Sequence, residues 1–153
     1  MKRVRIVCLV FATAMLASCG GGSSPKNINS VYVGQLNDSG QTPIFAMSAS
    51  LAQASGSGVN ITGFNIGSLG NFPACFSSST TQTATFTASG SSNGYVTGTF
   101  EMTISTVLTA SNNVLTLTGN RMGTGAISGM WVLTGQAGCS GNGAFSLSPP
   151  PPV

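Results

Sequence analysis

Apolar and polar residues alternate along most of the chain between residues 28 and 148, with little of the spacing that is typical of an amphipathic helix. In the clearest stretch, residues 95–106, Phe100 and Ile104 fall on one side, while Thr99 and Glu101 fall on the other. Side chains of a strand point alternately to its two faces. The pattern therefore predicts an all-β domain in which each strand buries one face.

About eight such runs are separated by short polar connections. The candidate strands are residues 31–36, 44–53, 59–66, 81–88, 95–106, the run around 115–118, 127–133 and the run around 145–147. The candidate turns are Ser39-Gly40, Ser57-Gly58, Asn93-Gly94, residues 111–113 and Asn142-Gly143. Short sequential hairpins favour a small up-and-down antiparallel barrel, because closure leaves no exposed strand edge. A β-sandwich is the alternative.

Several residues of these runs bear on what fills the barrel. We expect Trp131 in the core or as a plug at one end of the barrel. Gly98, Gly129 and Ala46 are expected among the inward positions, and such small residues leave open whether the interior has room for a ligand. Arg121 shares the phase of Leu115, but we expect the glycines around it to end the strand before its side chain turns inward.

The N-terminus has the pattern of an export signal. The chain contains five basic residues, two acidic residues and no His, and three of the basic residues are Lys2, Arg3 and Arg5. The apolar run 6–16 follows them, and it is shorter than the roughly 20 residues that a membrane-spanning helix needs. Residues 1–18 are therefore expected to be a signal peptide.

Directly after the apolar run stands Leu16-Ala17-Ser18-Cys19. This sequence resembles the lipobox of bacterial lipoproteins, which are cleaved by a signal peptidase of type II. The resemblance implies cleavage before Cys19, lipid on its thiol and anchoring of the protein to the membrane. Gly20 rather than Asp follows the cysteine, and in that family this is typical of outer-membrane proteins. Which side of the membrane the domain faces stays open.

Removal of residues 1–18 leaves a neutral chain, with Lys26 and Arg121 against Asp38 and Glu101. No basic patch would remain, so the sequence does not favour nucleic-acid binding. We expect a lipidated flexible tether over residues 19–27, one β domain over residues 28–148 and a proline-rich tail over residues 149–153.

Two cysteines remain after processing and lipidation, namely Cys75 and Cys139. An even pair in an exported protein predicts a disulfide, which in a meander would tie a mid-chain loop to the final hairpin at one end of the barrel. The alternative is two unpaired thiols buried as small apolar side chains. Two thiols without a His do not complete a zinc site, and no cofactor is expected.

Catalysis is not expected. Asp38 lies in a turn sequence and Glu101 on the polar side of a strand, where both are expected to be solvated. Without His there is no Ser-His triad, and Lys26 lies in the tether. Two function classes stay open: a module that binds a small apolar ligand in the interior or mouth of the barrel, and a structural or protein-interaction lipoprotein of the cell envelope.

Overall fold

The computed structural model describes residues 27–106 and 112–151, which form eight β-strands. The strands are β1 (Ser30–Asp38), β2 (Pro43–Gln53), β3 (Gly58–Ser68), β4 (Thr80–Ser92), β5 (Tyr95–Thr106), β6 (Val114–Arg121), β7 (Ile127–Thr134) and β8 (Gly141–Ser148). All eight predicted runs are strands, and the residue alternation that predicted them is also the alternation of buried and exposed positions. No helix in the described part of the chain is long and apolar enough to cross a membrane.

The strands form a closed barrel in sequence order, and β1 pairs with β8 to complete it. Every neighbouring pair is antiparallel. The predicted up-and-down barrel is therefore confirmed, and the sandwich alternative is wrong. The sequential order follows from the mostly short connections, which allow each strand to pair with the strand before it.

Two local predictions for β2 and β8 were wrong. Asn142-Gly143 is not a turn but lies inside β8, and the connection before it is residues 135–140. A Cβ on Gly143 would meet the backbone carbonyl of Asn37 on β1 and lie 2.9 Å from the Trp131 indole nitrogen, so this glycine makes room for the neighbouring strand and for a ring rather than for a turn. Ala46 points outward, because Phe45 and Met47 take the inward positions of β2.

The two ends of the barrel differ in what closes them. At the N-terminal end lie the segment that enters β1, the β2–β3, β4–β5 and β6–β7 connections and the start of the proline tail. At the disulfide end lie the β1–β2, β3–β4, β5–β6 and β7–β8 connections. Ile28 packs against the core at the N-terminal end and is fully buried, so the chain crosses that end before β1 begins.

One side of the barrel is incompletely paired. β3 and β4 pair only through Gly58 with Thr85 and Val59 with Ala84, whereas β2 pairs with β3 along almost its whole length. Residues 60–68 of β3 and 80–83 of β4 therefore face each other without forming a ladder. We call the space between these two stretches the seam.

Candidate functional site

Large side chains fill the barrel interior. Tyr32, Trp131, Phe45 and Phe100 are each at most 1% exposed, and aliphatic residues from all eight strands surround them. The ring centroids of Phe45 and Trp131 lie 6.1 Å apart in an edge-to-face arrangement. An eight-stranded barrel is wide enough either to be filled by side chains or to hold one ligand, and the interior packing corresponds to the first case. Trp131 is thus a core residue, as predicted.

The small inward residues do not leave a cavity. A Cβ on Gly98 would meet the backbone carbonyl of Thr87 and lie 2.8 Å from Cζ of Phe86. A Cβ on Gly129 would meet the carbonyl of Thr118 on the neighbouring strand. These glycines permit close approach of neighbouring strands, so the space that a side chain would need is already occupied.

Arg121 closes the N-terminal end of the barrel. β6 runs as far as Arg121, whose side chain points inward and is 3% exposed, so the expectation that glycines end the strand first was wrong. The β6–β7 hairpin forms after it, through Met122 N–H donating to Ala126 O at 2.8 Å. The strand keeps its phase because Gly119 pairs with Gly129 inside the β6–β7 ladder.

The guanidinium of Arg121 joins three separate parts of the chain. Nε donates to the Tyr32 hydroxyl at 3.1 Å, Nη1 to the Val96 carbonyl at 2.6 Å and Nη2 to the Asn27 carbonyl at 3.1 Å. The Tyr95 ring centroid lies 5.9 Å from Cζ. One charged group therefore links the entering segment to β1 and β5. The sequence did not predict this role, because the three acceptors of Arg121 are distant from it along the chain.

Burial raises the pKa of Tyr32, and the nearby positive charge of Arg121 opposes this shift together with its hydrogen bond. Burial disfavours the charged phenolate, whereas a cation favours it. Because burial is the larger effect, the phenol remains protonated to higher pH in the folded protein than in the unfolded chain.

Two open clefts flank the N-terminal end. One, of about 410 Å³, has a mixed polar and apolar lining that includes Arg121, Tyr95, Ser30 and the prolines that follow β8. The other, of about 460 Å³, is mostly apolar and lies between the β2–β3 turn and the β4–β5 hairpin, with Phe86, Ala88 and Val96 in its wall. Both clefts belong to the barrel mouth and not to its packed interior.

The disulfide end is held by the predicted bond. Cys75 and Cys139 form a disulfide with a Cα–Cα separation of 5.7 Å, which ties the β3–β4 loop to the β7–β8 connection. Asn113, 2% exposed, lies between them: its Nδ2 donates to Cys75 O at 2.9 Å and its Oδ1 accepts from Gln136 N–H at 3.0 Å. The sequence suggested only a turn at Asn113, because its long-range partners depend on the closed barrel.

The two carboxylates lie apart and have different surroundings. Asp38 ends β1, where its Oδ1 accepts from Gly40 N–H at 2.9 Å and Thr42 N–H at 2.8 Å, as a turn-forming residue does. Glu101 is exposed in the middle of β5, where it pairs with Thr85 and Thr118 on the neighbouring strands. The barrel therefore does not bring Asp38 and Glu101 together into one cleft.

Within the described part of the chain, the backbone groups that face the seam from residues 60–68 and 80–83 have no strand partner. Leu69 N–H donates to Ile44 O on β2 at 2.8 Å. Because the backbone groups of successive residues alternate between the two edges of a strand, those of Phe64 and Ile66 point away from β2 and into the seam. On β4, Phe86 N–H donates across to Ser57 O at 2.7 Å. Gln82 lies four residues before Phe86, so by the same alternation its backbone groups also point into the seam.

A groove of about 290 Å³ runs along this stretch. Its lining residues are Phe64, Asn65, Ile66, Phe76, Ser77, Ser78, Thr80 and Gln82. None of them is charged. Phe64, Ile66 and Phe76 are half-buried and pack with one side against the core. The groove therefore combines strand edges that lack a ladder with a mostly polar, uncharged lining that includes three partly buried apolar side chains.

The residues of the proposed export signal, Cys19 and Lys26 lie outside the described part of the chain. Comparison with protein-family models, with curated proteins and with solved structures gives no match to this chain. Site residues are therefore assigned from the geometry and the sequence alone.

Proposed function

We propose that this protein is a non-catalytic lipoprotein of the bacterial outer membrane that acts through the surface of its barrel, as a structural or protein-interaction module of the cell envelope. The lipobox-like sequence that ends at Cys19 supports the anchor. The observation that carries the choice of function is the packed barrel axis, where the rings of Tyr32 and Trp131 occupy the space that an apolar ligand would need. The partners are the membrane, through lipid, and another envelope protein.

The separation of Asp38 and Glu101 supports the non-catalytic part of the proposal. A glycosidase needs two carboxyl groups on either side of one bond. Here one carboxylate stabilises a turn at the disulfide end and the other is surrounded by threonines on the outer face. Among the described residues, no side-chain hydrogen bond joins either carboxylate to a nucleophile or a base.

Intact-mass measurement of the natively purified protein tests the anchor and the ligand together. We expect a mass for residues 19–153 that is increased by a diacylglyceryl and an acyl group, and no stoichiometric small molecule released on denaturation. Cys19→Ala should abolish the modification and leave unprocessed or mislocalised precursor. Unlipidated protein that begins at another residue would contradict the anchor.

A small apolar ligand in the barrel mouth is the second candidate, which the apolar cleft beside Phe86 and Val96 favours. Ala88→Trp would fill this cleft from its exposed rim, so it should displace such a ligand without unfolding the barrel. Gly98→Trp cannot make this distinction, because its side chain would clash with backbone. A ligand found in the wild-type protein and lost in Ala88→Trp would favour this candidate over the surface function.

A further inference from the structure

We propose that the free edge of β3 at the seam accepts an extended, uncharged segment of a partner protein as an added strand. This inference rests on the proposed surface function and names the kind of partner that it requires. An extended segment can satisfy strand-edge N–H and C=O groups through main-chain hydrogen bonds, as in other cases of strand addition. Residues 60–68 present such groups next to the half-buried Phe64 and Ile66.

The β3 edge lacks the features that usually block strand addition. Natural edge strands are protected by charged side chains, prolines or very short length. β3 is 11 residues long and contains neither a charged residue nor a proline. The backbone groups of Phe64 and Ile66 alternate with those of the residues that pair with β2. The N–H and C=O groups that face the seam therefore recur at every second residue, as a neighbouring antiparallel or parallel strand requires.

The uncharged lining of the groove indicates the composition of the segment. Hydroxyl, amide and apolar groups line the groove, so a charged side chain placed there would lose water without gaining an opposite charge. Alternate side chains of an added strand would lie over Phe64, Ile66 and Phe76, which favours uncharged side chains at those positions. The other side chains would face solvent, where small polar residues are suitable.

The position of the seam leaves it accessible to a partner when the protein is anchored to the membrane. The chain enters the barrel at Asn27, at the N-terminal end, while the seam opens toward the disulfide end. The eight residues from Cys19 to Lys26 reach at most roughly 28 Å when fully extended. An extended segment of a neighbouring envelope protein would add a single strand to β3. A second copy would have to bring its curved β2–β3 sheet into a slit bounded by β4 and the 69–79 loop.

The test uses the lipidated mature protein in detergent micelles and a capped nine-residue peptide with the sequence of residues 80–88. This peptide reproduces the strand that follows β3 and is uncharged. We expect saturable binding and a slowing of amide hydrogen exchange in residues 60–68 by about tenfold, equivalent to about 1.4 kcal/mol. N-methylation at the positions of Gln82 and Ala84 should abolish binding, because the backbone N–H groups of these two residues are on the side of the strand that faces β3. N-methylation at the positions of Thr81 and Thr83 is the matched control and should preserve it.

A pair of protein variants tests the same edge from the other side. Ile66→Pro removes the N–H that faces the seam and leaves the β2 ladder intact, whereas Ile66→Val keeps that N–H. We expect binding by Ile66→Val and none by Ile66→Pro. If Ile66→Pro does not fold, the two methylated peptides decide with the wild-type protein.

Three results would overturn the proposal: no protection of residues 60–68, equal binding of the two methylated peptides, or a dimer in sedimentation whose residues 60–68 are protected without peptide. The last result would make a second copy the occupant. Release of a small molecule on denaturation would instead contradict the proposed surface function, so the two failures are distinguishable.

Discussion

Removing the Cys75–Cys139 disulfide should destabilise the mature protein without changing its fold. The bond closes a stretch with a sequence separation of 64. The loss of chain entropy in the unfolded state then corresponds to about 4 kcal/mol at 25 °C. Typical domains have unfolding free energies of about 5 to 15 kcal/mol, so this one bond would contribute a substantial share.

Other contacts hold the same loop and limit the damage. The Phe72 and Phe76 ring centroids lie 4.9 and 6.3 Å from that of Phe45, and Asn113 donates to the Cys75 carbonyl, which a side-chain change at position 75 leaves in place. Cys75→Ala/Cys139→Ala should therefore keep the barrel and lose about 2 to 4 kcal/mol.

Urea unfolding of the wild-type protein and the double variant measures this difference. The urea dependence of the unfolding free energy should also rise slightly in the variant, because the uncrosslinked unfolded chain exposes more surface. Reduced wild-type protein is the control and should behave like the variant. A difference below about 1 kcal/mol, or two free thiols in unfolded wild-type protein that has not been reduced, would refute the reasoning.

Three further predictions concern charged and titratable groups. Trypsin should not cut the folded domain at Arg121, the only Lys or Arg among the described residues, because its side chain is 3% exposed; cleavage there at the rate of the unfolded chain would contradict the closure of the N-terminal end. Burial raises the pKa of Tyr32, so the folded protein keeps the phenol protonated to higher pH than the unfolded chain does. The stability of the fold should therefore be unaffected by this group below pH about 10 and should decrease as the pH rises further. Urea midpoints measured above pH about 10 should decrease less with pH in Tyr32→Phe than in the wild-type protein. An equal decrease in both proteins would exclude Tyr32 as the source of the pH dependence. Asp38→Asn/Glu101→Gln should change neither the thermal midpoint appreciably nor binding of the residue 80–88 peptide, whereas lost binding by a folded variant would assign a role to a carboxylate.

Strand number and order could be predicted from the sequence because both depend on local patterns. The alternation in β5, with Phe100 and Ile104 on one side and Glu101 on the other, directly predicts which face is buried. The start of β2 was ambiguous, because apolar residues occupy both phases from Ile44 to Met47. Only the serines that follow distinguish the two faces, so the wrong orientation of Ala46 reflects a real weakness of the local signal.

The candidate site could not be predicted because it depends on pairing between distant residues. Nothing in the composition of residues 60–68 indicates that β4 leaves them after Val59. The glycines around Arg121 predict that the strand ends before its side chain turns inward. Its inward position is instead fixed by three acceptors that belong to Tyr32, Val96 and Asn27. The disulfide was predictable for a different reason, namely that the proposed processing leaves a single pair of cysteines.

The closed parts of the barrel also indicate why the seam is the best place for a partner to act. At the N-terminal end, a partner would have to displace Ile28 and break the hydrogen bonds of Arg121, which would leave a buried cation with fewer acceptors. At the disulfide end, it would have to move a loop that is covalently fixed at Cys75. Along the other sides, it would compete with β-ladders of at least six residue pairs each. At the seam, the backbone groups of Phe64 and Ile66 are already directed outward from β2, so an added strand forms hydrogen bonds there without first breaking any.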